Sequence, residues 1–364
     1  MWKLRISKSF FLHKLFAFIG IALCVNFNSG CDYQFQNKEK LGRNYAADLT
    51  GYWKFSIGDD SAWASPDYDD DDWEEIKVPS NWEDQGYYGY NGFAWYRKTF
   101  EISDDFKDED LYLNLGVIDD VDETYFNGTM VGLSGGFPPY YLTAYNAVRN
   151  YYIPKQLVKI GKNTIAVRVY DIQLEGGIIK GPINIYSIRT SNNNSVDLVP
   201  DINLTGRWKF MTGDNTNWKK PELNDSAWKN LFVPGLWEAQ GFGDYDGFAW
   251  YRKSFFVPAA YSNTKMVLLM GKIDDIDQTY LNGELAGEIG DWNPDLIDLN
   301  FNQHNEWEIF RAYFLPDGIL KPGEENNISV RVFDGMVDGG IYDGPIGLIT
   351  QEKYVAYWKG KKHE

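Results

Sequence analysis

The residues best suited to chemistry in this sequence are aspartates, and they recur. The motif Asp-Asp-x-Asp occurs at positions 119–122 and again at 274–277. Two carboxylates that flank a glycosidic bond can hydrolyse it when one of them has a raised pKa, and clustered carboxylates can also contact a ligand or a cation. Both motifs precede a hairpin strand, where carboxylates commonly accept hydrogen bonds from turn amides. The sequence therefore favours a structural role, with ligand or cation contact as the alternative.

Other catalytic groups are scarce. The three histidines lie at positions 13, 304 and 363, and the two cysteines at positions 24 and 31. These positions exclude a disulfide framework and a cysteine-based zinc site in the folded body. A Gly-x-Ser-x-Gly pattern at 132–136 has no histidine between positions 14 and 303. We interpret this pattern as a chance match to the nucleophile-elbow motif.

Aromatic residues make up 17% of the chain, and several fall in loops rich in glycine and tyrosine. Planar rings beside polar groups are a common means of holding a sugar, and charged side chains can bind hydroxyl groups or carboxylates. The ligand-binding candidates on these grounds are Trp82, Tyr87, Tyr88, Tyr90, Tyr140, Tyr141, Arg149, Asp171, Glu175, Trp237, Asp244, Tyr245, Trp292, Trp307, Arg311, Asp334 and Asp338. For the tryptophans at 82 and 237 core packing is the rival interpretation. For the charged members, structure and ligand contact are both open.

An internal duplication supplies the elements that carry these residues. LTGYWKF at 49–55 returns as LTGRWKF at 204–210, and GFAWYRK occurs unchanged at 92–98 and 247–253. Apolar alternation and Asn-Gly pairs between short apolar segments, at 127–128 and 282–283, indicate antiparallel hairpins. We therefore predict an all-β chain with two tandem antiparallel β-sandwich domains.

The duplication divides the sequence into a domain at 49–190, a polar linker at 191–203, a second domain at 204–351 and a tail at 352–364. Residues 1–30 have a basic start followed by an apolar run, which is typical of a signal peptide. Cys31 follows a Ser-Gly pair, resembling a bacterial lipoprotein cleavage site. We therefore predict a lipidated Cys31 and a polar tether at 31–48, with plain secretion as the alternative.

The ordered motifs resemble a known family of domains. Val-Pro-x-x-Trp, Ala-Trp-Tyr-Arg-Lys, Asp-Asp-x-Asp, Asn-Gly and Gly-Gly-Ile follow one another in both copies, across residues 49–350. This succession resembles the galactose-binding-like jelly roll of family 2 glycoside hydrolases and the related domain of sialate O-acetylesterases. The resemblance implies sugar-binding accessory domains. The family 2 catalytic barrel needs about 250 residues, and the two copies, the leader and the linker take up the 364 residues of this sequence. The resemblance therefore implies that such chemistry would come from another polypeptide.

Taken together, these features predict a non-catalytic carbohydrate-binding lipoprotein of the bacterial envelope. Its partners would be a polysaccharide or oligosaccharide, the membrane through a lipid anchor, and a separate glycan-degrading enzyme. The formal charge of −17 excludes nucleic acid as a favourable partner. We expect no cofactor; a structural calcium ion stays open but nothing indicates one, and the acidic stretch at 67–75 indicates a solvated loop rather than a calcium site. Two alternatives stay open: a glycan hydrolase with carboxylates between the domains, and a scaffold for a separate hydrolase.

Overall fold

The computed structural model describes residues 43–188, 198–292 and 305–361. Within these ranges the chain consists of antiparallel β-sheets, short 3₁₀ turns and one α-helix. The prediction of an all-β fold is confirmed. The predicted signal peptide, Cys31 and His304 lie outside the described residues. None of the described helical segments combines the length and the apolar character that crossing a bilayer would require.

The first repeat, residues 43–188, forms two sheets. Its strands are β1 (Arg43–Asp48), β2 (Gly51–Ile57), β3 (Glu74–Val78), β4 (Gly92–Ile102), β5 (Leu111–Asp119), β6 (Val121–Phe126), β7 (Thr129–Ser134), β8 (Val148–Ile153), β9 (Gly161–Asp171), β10 (Gly177–Lys180) and β11 (Asn184–Ile188). The larger sheet has the order β3-β2-β4-β9-β6-β7. In the smaller sheet β1 pairs with β11, while β11 and β10 lie along one edge of β5 and β8 along the other.

The second repeat, from residue 198 onward, has the same arrangement. Its elements are β12 (Ile202–Asn203), β13 (Gly206–Thr212), β14 (Lys229–Val233), β15 (Gly247–Phe256), β16 (Met266–Asp274), β17 (Ile276–Leu281), β18 (Glu284–Ile289), β19 (Phe310–Phe314), β20 (Glu325–Asp334), β21 (Gly340–Thr350) and α1 (Gln351–Gly360). The larger sheet has the order β14-β13-β15-β20-β17-β18, and the smaller one β12-β21-β16-β19. The continuous strand β21 occupies the position that β10 and β11 share in the first repeat.

Each repeat buries one apolar face of each sheet against the other. In the first repeat Trp53, Tyr96 and Val167 of the larger sheet belong to the same buried cluster as Leu113 and Ile185 of the smaller sheet. The second repeat has an equivalent cluster. Successive side chains of a strand point to opposite faces of its sheet, so the apolar alternation seen in the sequence fills the space between the two layers and makes each repeat a sandwich.

The Asn-Gly hairpins form as predicted. Asn127 and Gly128 have φ angles of 49° and 81°, and they join β6 to β7. Asn282 and Gly283, with φ of 52° and 85°, join β17 to β18 in the same way. Two consecutive residues with positive φ are the requirement of a type I′ turn, which Asn-Gly satisfies with little strain. The Asn127 side chain also donates to the Leu157 carbonyl oxygen at 2.9 Å, which ties the turn to a neighbouring loop.

Two segments extend the fold beyond the bounds drawn from sequence. Residues 43–48, assigned to the polar tether, form β1, because their backbone completes the ladder of β11. Residues 351–360, assigned mostly to the tail, form α1, whose N-cap residue Thr350 accepts a hydrogen bond from the Lys353 amide. Tyr354 of α1 packs on an apolar patch of the smaller sheet. Polar composition did not reveal either element, because pairing and packing with distant strands stabilise both.

Candidate functional site

The repeated aspartates gather at one end of each sandwich. In the first repeat Asp119 ends β5, Asp120 follows it, and Asp171 ends β9. One carboxylate oxygen from each of the three lies within 4.8 Å of the others, and we call this group the first acidic triad. Burial, a hydrogen bond that the protonated Asp119 donates to Asp120, and the charges of Asp120 and Asp171 raise the pKa of Asp119 to about 7. Burial and the charges of Asp120 and Glu83 raise the pKa of Asp171 to about 6.

The pKa of Asp120 differs from those of its neighbours because two side chains donate hydrogen bonds to its carboxylate. Burial raises its pKa, but hydrogen bonds from Thr143 and Tyr141 outweigh that effect and leave the pKa below its ordinary value. The Thr143 hydroxyl donates to Asp120 Oδ1 at 2.6 Å. Tyr141, a predicted ligand residue, also packs edge-on against Tyr170 at 6.0 Å. Two residues of the 137–147 loop are therefore held by the triad.

The second acidic triad consists of Asp274, Asp275 and Asp334, and it has the same spacing. Burial, the hydrogen bond with Asp275 and the charges of Asp275, Asp334 and Asp338 raise the pKa of Asp274 to about 9. Burial and neighbouring carboxylates raise the pKa of Asp334 to about 8, and burial raises the pKa of Glu238 to about 7. Burial also raises the pKa of Asp338, a predicted ligand residue. The carboxyl pKa values are therefore raised further at this end of the second repeat than in the first.

The third motif aspartate has a structural role in each repeat. Asp122 and Arg149 are both fully buried, and Arg149 Nε donates to Asp122 Oδ1 at 2.8 Å. Arg311 and Asp277 form the equivalent buried pair at 3.1 Å. Each arginine also donates to three backbone carbonyl oxygens of the surrounding loops. This corrects the ligand-binding prediction for both arginines, because their donors are already used inside the fold.

The two candidate tryptophans are core residues. Trp82 and Trp237 have no exposed surface. Their indole nitrogens donate to the carbonyl oxygens of Tyr90 and Tyr245, each at 3.2 Å. Those tyrosine rings pack edge-on against them, at 5.9 and 5.8 Å between ring centroids. The rival interpretation of core packing therefore holds for these tryptophans, and Tyr90 and Tyr245 are half-buried supports for them.

The remaining ligand-binding candidates differ in how exposed their side chains are. Tyr87 is half-buried, packs edge-on against Phe55 at 4.8 Å and donates to Glu74 Oε2 at 2.8 Å. Trp292 is half-buried beneath the Arg331 guanidinium, 4.6 Å from its ring centroid. The exposed members are Tyr88, Tyr140, Glu175, Asp244 and Trp307. Exposure leaves these five available to a ligand, and their role in binding stays a prediction.

A groove of about 650 Å³ lies between the two repeats. The first repeat contributes Tyr112, Asn150 and Tyr152 from its smaller sheet, and the second contributes Tyr342 and Asp343 from β21. Pockets for small ligands commonly have volumes of about 300–1,000 Å³ and occur preferentially at domain interfaces. The groove thus has the size and position of a ligand site, and its walls combine aromatic rings with amide and carboxylate groups.

Part of the wall from the first repeat belongs to a row of four tyrosines, Tyr152, Tyr112, Tyr186 and Tyr45, which we call the tyrosine row. Tyr112 and Tyr152 are half-buried and line the groove, whereas Tyr186 is fully buried, with the Arg43 guanidinium 4.5 Å from its ring centroid. They pair directly across β8, β5, β11 and β1, so they share the outer face of the smaller sheet. The rings of Tyr112 and Tyr186 stack at 5.6 Å, and those of Tyr112 and Tyr152 lie 5.7 Å apart. The Tyr186 hydroxyl donates to Asn150 Oδ1 at 3.0 Å.

The same face of the second repeat has a different composition. Val267, Phe314 and Ile349 occupy the places of Tyr112, Tyr152 and Tyr186 in the register of the sheet. The next row replaces asparagines by apolar residues in the same way, with Leu269 for Asn114 and Ala312 for Asn150. Val267, Leu269 and Ile349 form an apolar patch against which Tyr354 of α1 packs. The duplicated sheets therefore share an apolar inner face but differ on the outer one.

Sequence reasoning missed the tyrosine row, although a signal for it was present. The sequence predicts ligand contacts in a loop, at Tyr87, Tyr88 and Tyr90, whereas the tyrosine row lies within strands. A position-by-position comparison of the two copies would have found it, since Tyr112 and Asn114 on β5 correspond to Val267 and Leu269 on β16. β5 alternates polar residues with its core residues, whereas β16 has aliphatic residues at the same positions. This difference indicates that the outer faces of the two smaller sheets have different functions.

Comparison with known proteins points to glycosidases. No family model matches the chain. A stretch of 129 residues is 36% identical to a putative beta-glucuronidase of Formosa agariphila, covering 32% of this chain and 12% of that protein. A stretch of 158 residues is 25% identical to a beta-galactosidase of Priestia megaterium, covering 35% of this chain and 14% of that protein. The chain thus spans a small part of either curated relative.

Among solved structures, a beta-glucuronidase 2 of Bacteroides uniformis aligns with 83% of this chain and 28% of its own. The sequence identity is 16% and the TM-score is 0.36. The two curated matches show that about a third of this chain is similar to a segment of each of two glycosidases.

Proposed function

We propose that this protein binds an oligosaccharide in the groove between its repeats, with the half-buried Tyr112 and Tyr152 of the tyrosine row as the main contact surface. The observation that carries the proposal is the contrast between the two smaller sheets. One outer face has tyrosines and asparagines that border a groove, and the other has aliphatic residues packed against α1. The similarity to segments of a putative beta-glucuronidase and a beta-galactosidase supports a carbohydrate as the ligand class.

The chemistry of the groove suits a sugar. The apolar face of a pyranose ring packs on an aromatic ring, while its hydroxyl groups need hydrogen-bond partners around the edge. Neighbouring strands lie about 4.7–4.9 Å apart, so Tyr112 and Tyr152 present two adjacent rings to one sugar unit. Asn150 and Asp343 can accept or donate hydrogen bonds beside them. We propose that the repeats are galactose-binding-like jelly rolls that act as a binding module.

The spacing of the carboxylates favours glycan binding without hydrolysis. Carboxylate oxygens of Asp119 and Asp120 lie within 4.8 Å of each other on consecutive residues, whereas glycoside hydrolysis needs two carboxyl groups that are about 5–9.5 Å apart and flank the scissile bond. The second candidate is a supporting role in a glycosidase, which the names of the two curated relatives favour. In that case the module would present a glycan to catalytic residues outside the described ranges.

The test of the groove is a Tyr152→Ala variant. Loss of one stacking ring should weaken glycan binding at least about tenfold, because central aromatic contacts dominate binding energies. A glycan array of neutral and uronic-acid-containing oligosaccharides identifies the best ligand for the wild-type protein. Isothermal titration with that oligosaccharide then measures the dissociation constant of the variant. Chromogenic β-glucuronides and β-galactosides, assayed in parallel, report any turnover.

The matched control is Phe314→Ala, which removes the ring at the equivalent position of the second repeat. It should leave the dissociation constant unchanged. Wild-type affinity in Tyr152→Ala would refute the groove as the site, and an array without any binder would refute carbohydrate recognition. Turnover of a chromogenic substrate by the wild-type protein would favour the glycosidase alternative.

We also propose that the chain is anchored to a bacterial envelope through a lipid on Cys31, as its N-terminal sequence indicates. A lipidated protein expressed in bacteria should partition into the detergent phase of Triton X-114. The Cys31→Ala variant should move to the aqueous phase, and Cys24→Ala, which changes the apolar run instead, should not. Aqueous partition of all three proteins would refute lipid anchoring.

A further inference from the structure

The two acidic triads have the spacing of a cation site. In each triad one oxygen from every carboxylate lies within 4.8 Å of the other two. Oxygens bound to one Ca²⁺ at about 2.3–2.6 Å can be at most about 5 Å from one another. A single ion can therefore contact all three carboxylates of a triad without any large movement of the backbone.

A second observation comes from oxygens that lack a partner. Asp171 and Asp334 are fully buried, and in each of them Oδ2 has no hydrogen-bond partner. Their Oδ1 atoms accept from the amides of Gln173 and Met336, both at 3.1 Å. A buried polar atom without a partner costs about 1–3 kcal/mol, more when it is charged. Such an atom at the same place in both repeats indicates a partner that is not part of the polypeptide.

The acid next to each triad has the same property. Glu83 Oε1 and Glu238 Oε1 are buried and have no hydrogen-bond partner. Their Oε2 atoms accept from the amides of Gly176 and Gly339, at 3.1 and 3.0 Å. Each glutamate therefore has a fixed orientation with one oxygen unused, beside an aspartate that also has one oxygen unused.

The nearby arginines do not neutralise this charge. Arg149 and Arg311 are close enough to the triads to act on them electrostatically. However, their Nε atoms bind Asp122 and Asp277, and their Nη2 atoms bind the carbonyl oxygens of Asp120 and Asp275 rather than the carboxylates. In each repeat the arginine that acts on the triad is therefore already paired with Asp122 or Asp277. Three carboxylates removed from water beside such an arginine need additional positive charge.

We propose that each acidic triad binds one hard divalent cation, of the Ca²⁺ or Mg²⁺ class. The donors are all oxygens, which such ions prefer and which do not suit the softer transition metals. In the first repeat the ion would bind Asp119, Asp120 and Asp171. Glu83, which accepts from the Gly176 amide next to Asp171, would add negative charge beside it. Asp120 also holds Thr143, so the ion would stabilise the loop whose Leu142 and Ala144 line the groove. This inference does not depend on the identity of the groove ligand.

The experiment is a titration of EDTA-treated protein with CaCl₂, MgCl₂ or MnCl₂, followed by calorimetry and thermal denaturation. We expect two equivalents of Ca²⁺ or Mg²⁺ per chain and a melting temperature that rises by several degrees. Asp171→Asn and Asp334→Asn should each remove one equivalent, and the double variant both. Glu101→Gln, which changes an exposed acid of β4 paired with Lys162, nine residues along β9 from Asp171, should bind two equivalents like the wild-type protein.

A measurement on the unaltered protein guards against variants that fail to fold. Tb³⁺ replaces Ca²⁺ in oxygen sites and emits when a nearby tryptophan is excited. The Trp82 ring lies against Gly176, which also borders Asp171, and Trp237 borders Gly339. Sensitised emission that Ca²⁺ displaces would support the proposal. No heat, no change in melting temperature with any of the three metals and no sensitised Tb³⁺ emission would overturn it, and shared protons would then account for the buried carboxylates.

Discussion

The Arg149→Met variant should lose about 3–5 kcal/mol of its free energy of unfolding, the usual cost of removing one member of a buried ion pair. Asp122 would lose its ion-pair partner in a site with no exposed surface. Three carbonyl oxygens, those of Ala144, Ala147 and Asp120, would lose their donor at the same time. Equilibrium denaturation in urea, followed by tryptophan fluorescence and by circular dichroism, measures the loss.

Two further variants separate the ion pair from its surroundings. The double variant Arg149→Met, Asp122→Leu should recover part of the loss, because an apolar pair leaves no unpaired charge in the core. Glu75→Gln changes an exposed partner, 3.9 Å from Lys54, and should cost less than about 1 kcal/mol. If Arg149→Met cost no more than Glu75→Gln, the arginine would not be a structural residue, and its assignment to ligand binding would return.

The fold could be predicted because its signals are local or repeated. Asn127 and Gly128 specify a type I′ hairpin from two residues, since few other pairs tolerate positive φ at both positions. The identical GFAWYRK segments at 92–98 and 247–253 are enough by themselves to establish two copies of one domain. In other segments, such as LYLNL at 111–115, alternation of apolar residues identifies strands because side chains alternate between the two faces of a sheet.

The site could not be predicted in the same way, because it depends on which distant residues meet. Asp119 and Asp171 are 52 positions apart in sequence, and they approach only where the ends of β5 and β9 lie at the same end of the sandwich. The tyrosine row depends on the register of four strands, and one residue of slip would point its rings inward. Comparison of the two copies indicates that their outer faces differ, but composition and spacing do not contain the register that brings the four rings together.

Burial was the other quantity that the sequence left open. Trp82 precedes a loop of glycines and tyrosines, and Tyr88 lies within it, so both looked like binding residues. In the fold Trp82 has no exposed surface, whereas Tyr88 is 93% exposed. The difference arises because Trp82 enters the space between the sheets next to Phe55, 5.8 Å away, while the loop that follows turns outward. Residue type alone does not distinguish an aromatic core residue from an aromatic surface.

Trp82→Ala should therefore act on stability and not directly on binding. Removal of a buried tryptophan typically costs about 3–5 kcal/mol through lost apolar burial and the cavity left behind. Here the indole also donates to the Tyr90 carbonyl oxygen and packs against Gly176. Trp237→Ala should destabilise the second repeat by a similar amount, since its burial and contacts are the same. Urea denaturation of each variant measures the effect.

The control for both tryptophan variants is Tyr88→Ala, which removes an exposed ring and should change stability by less than about 0.5 kcal/mol. Trp82→Phe, which fills much of the cavity, should recover part of the stability lost in Trp82→Ala. A Trp82→Ala protein with an unchanged unfolding midpoint but weakened glycan binding would contradict the core assignment. The aromatic surface that holds the ligand would then be at the loop end of the first repeat, and the tyrosine row would need another explanation.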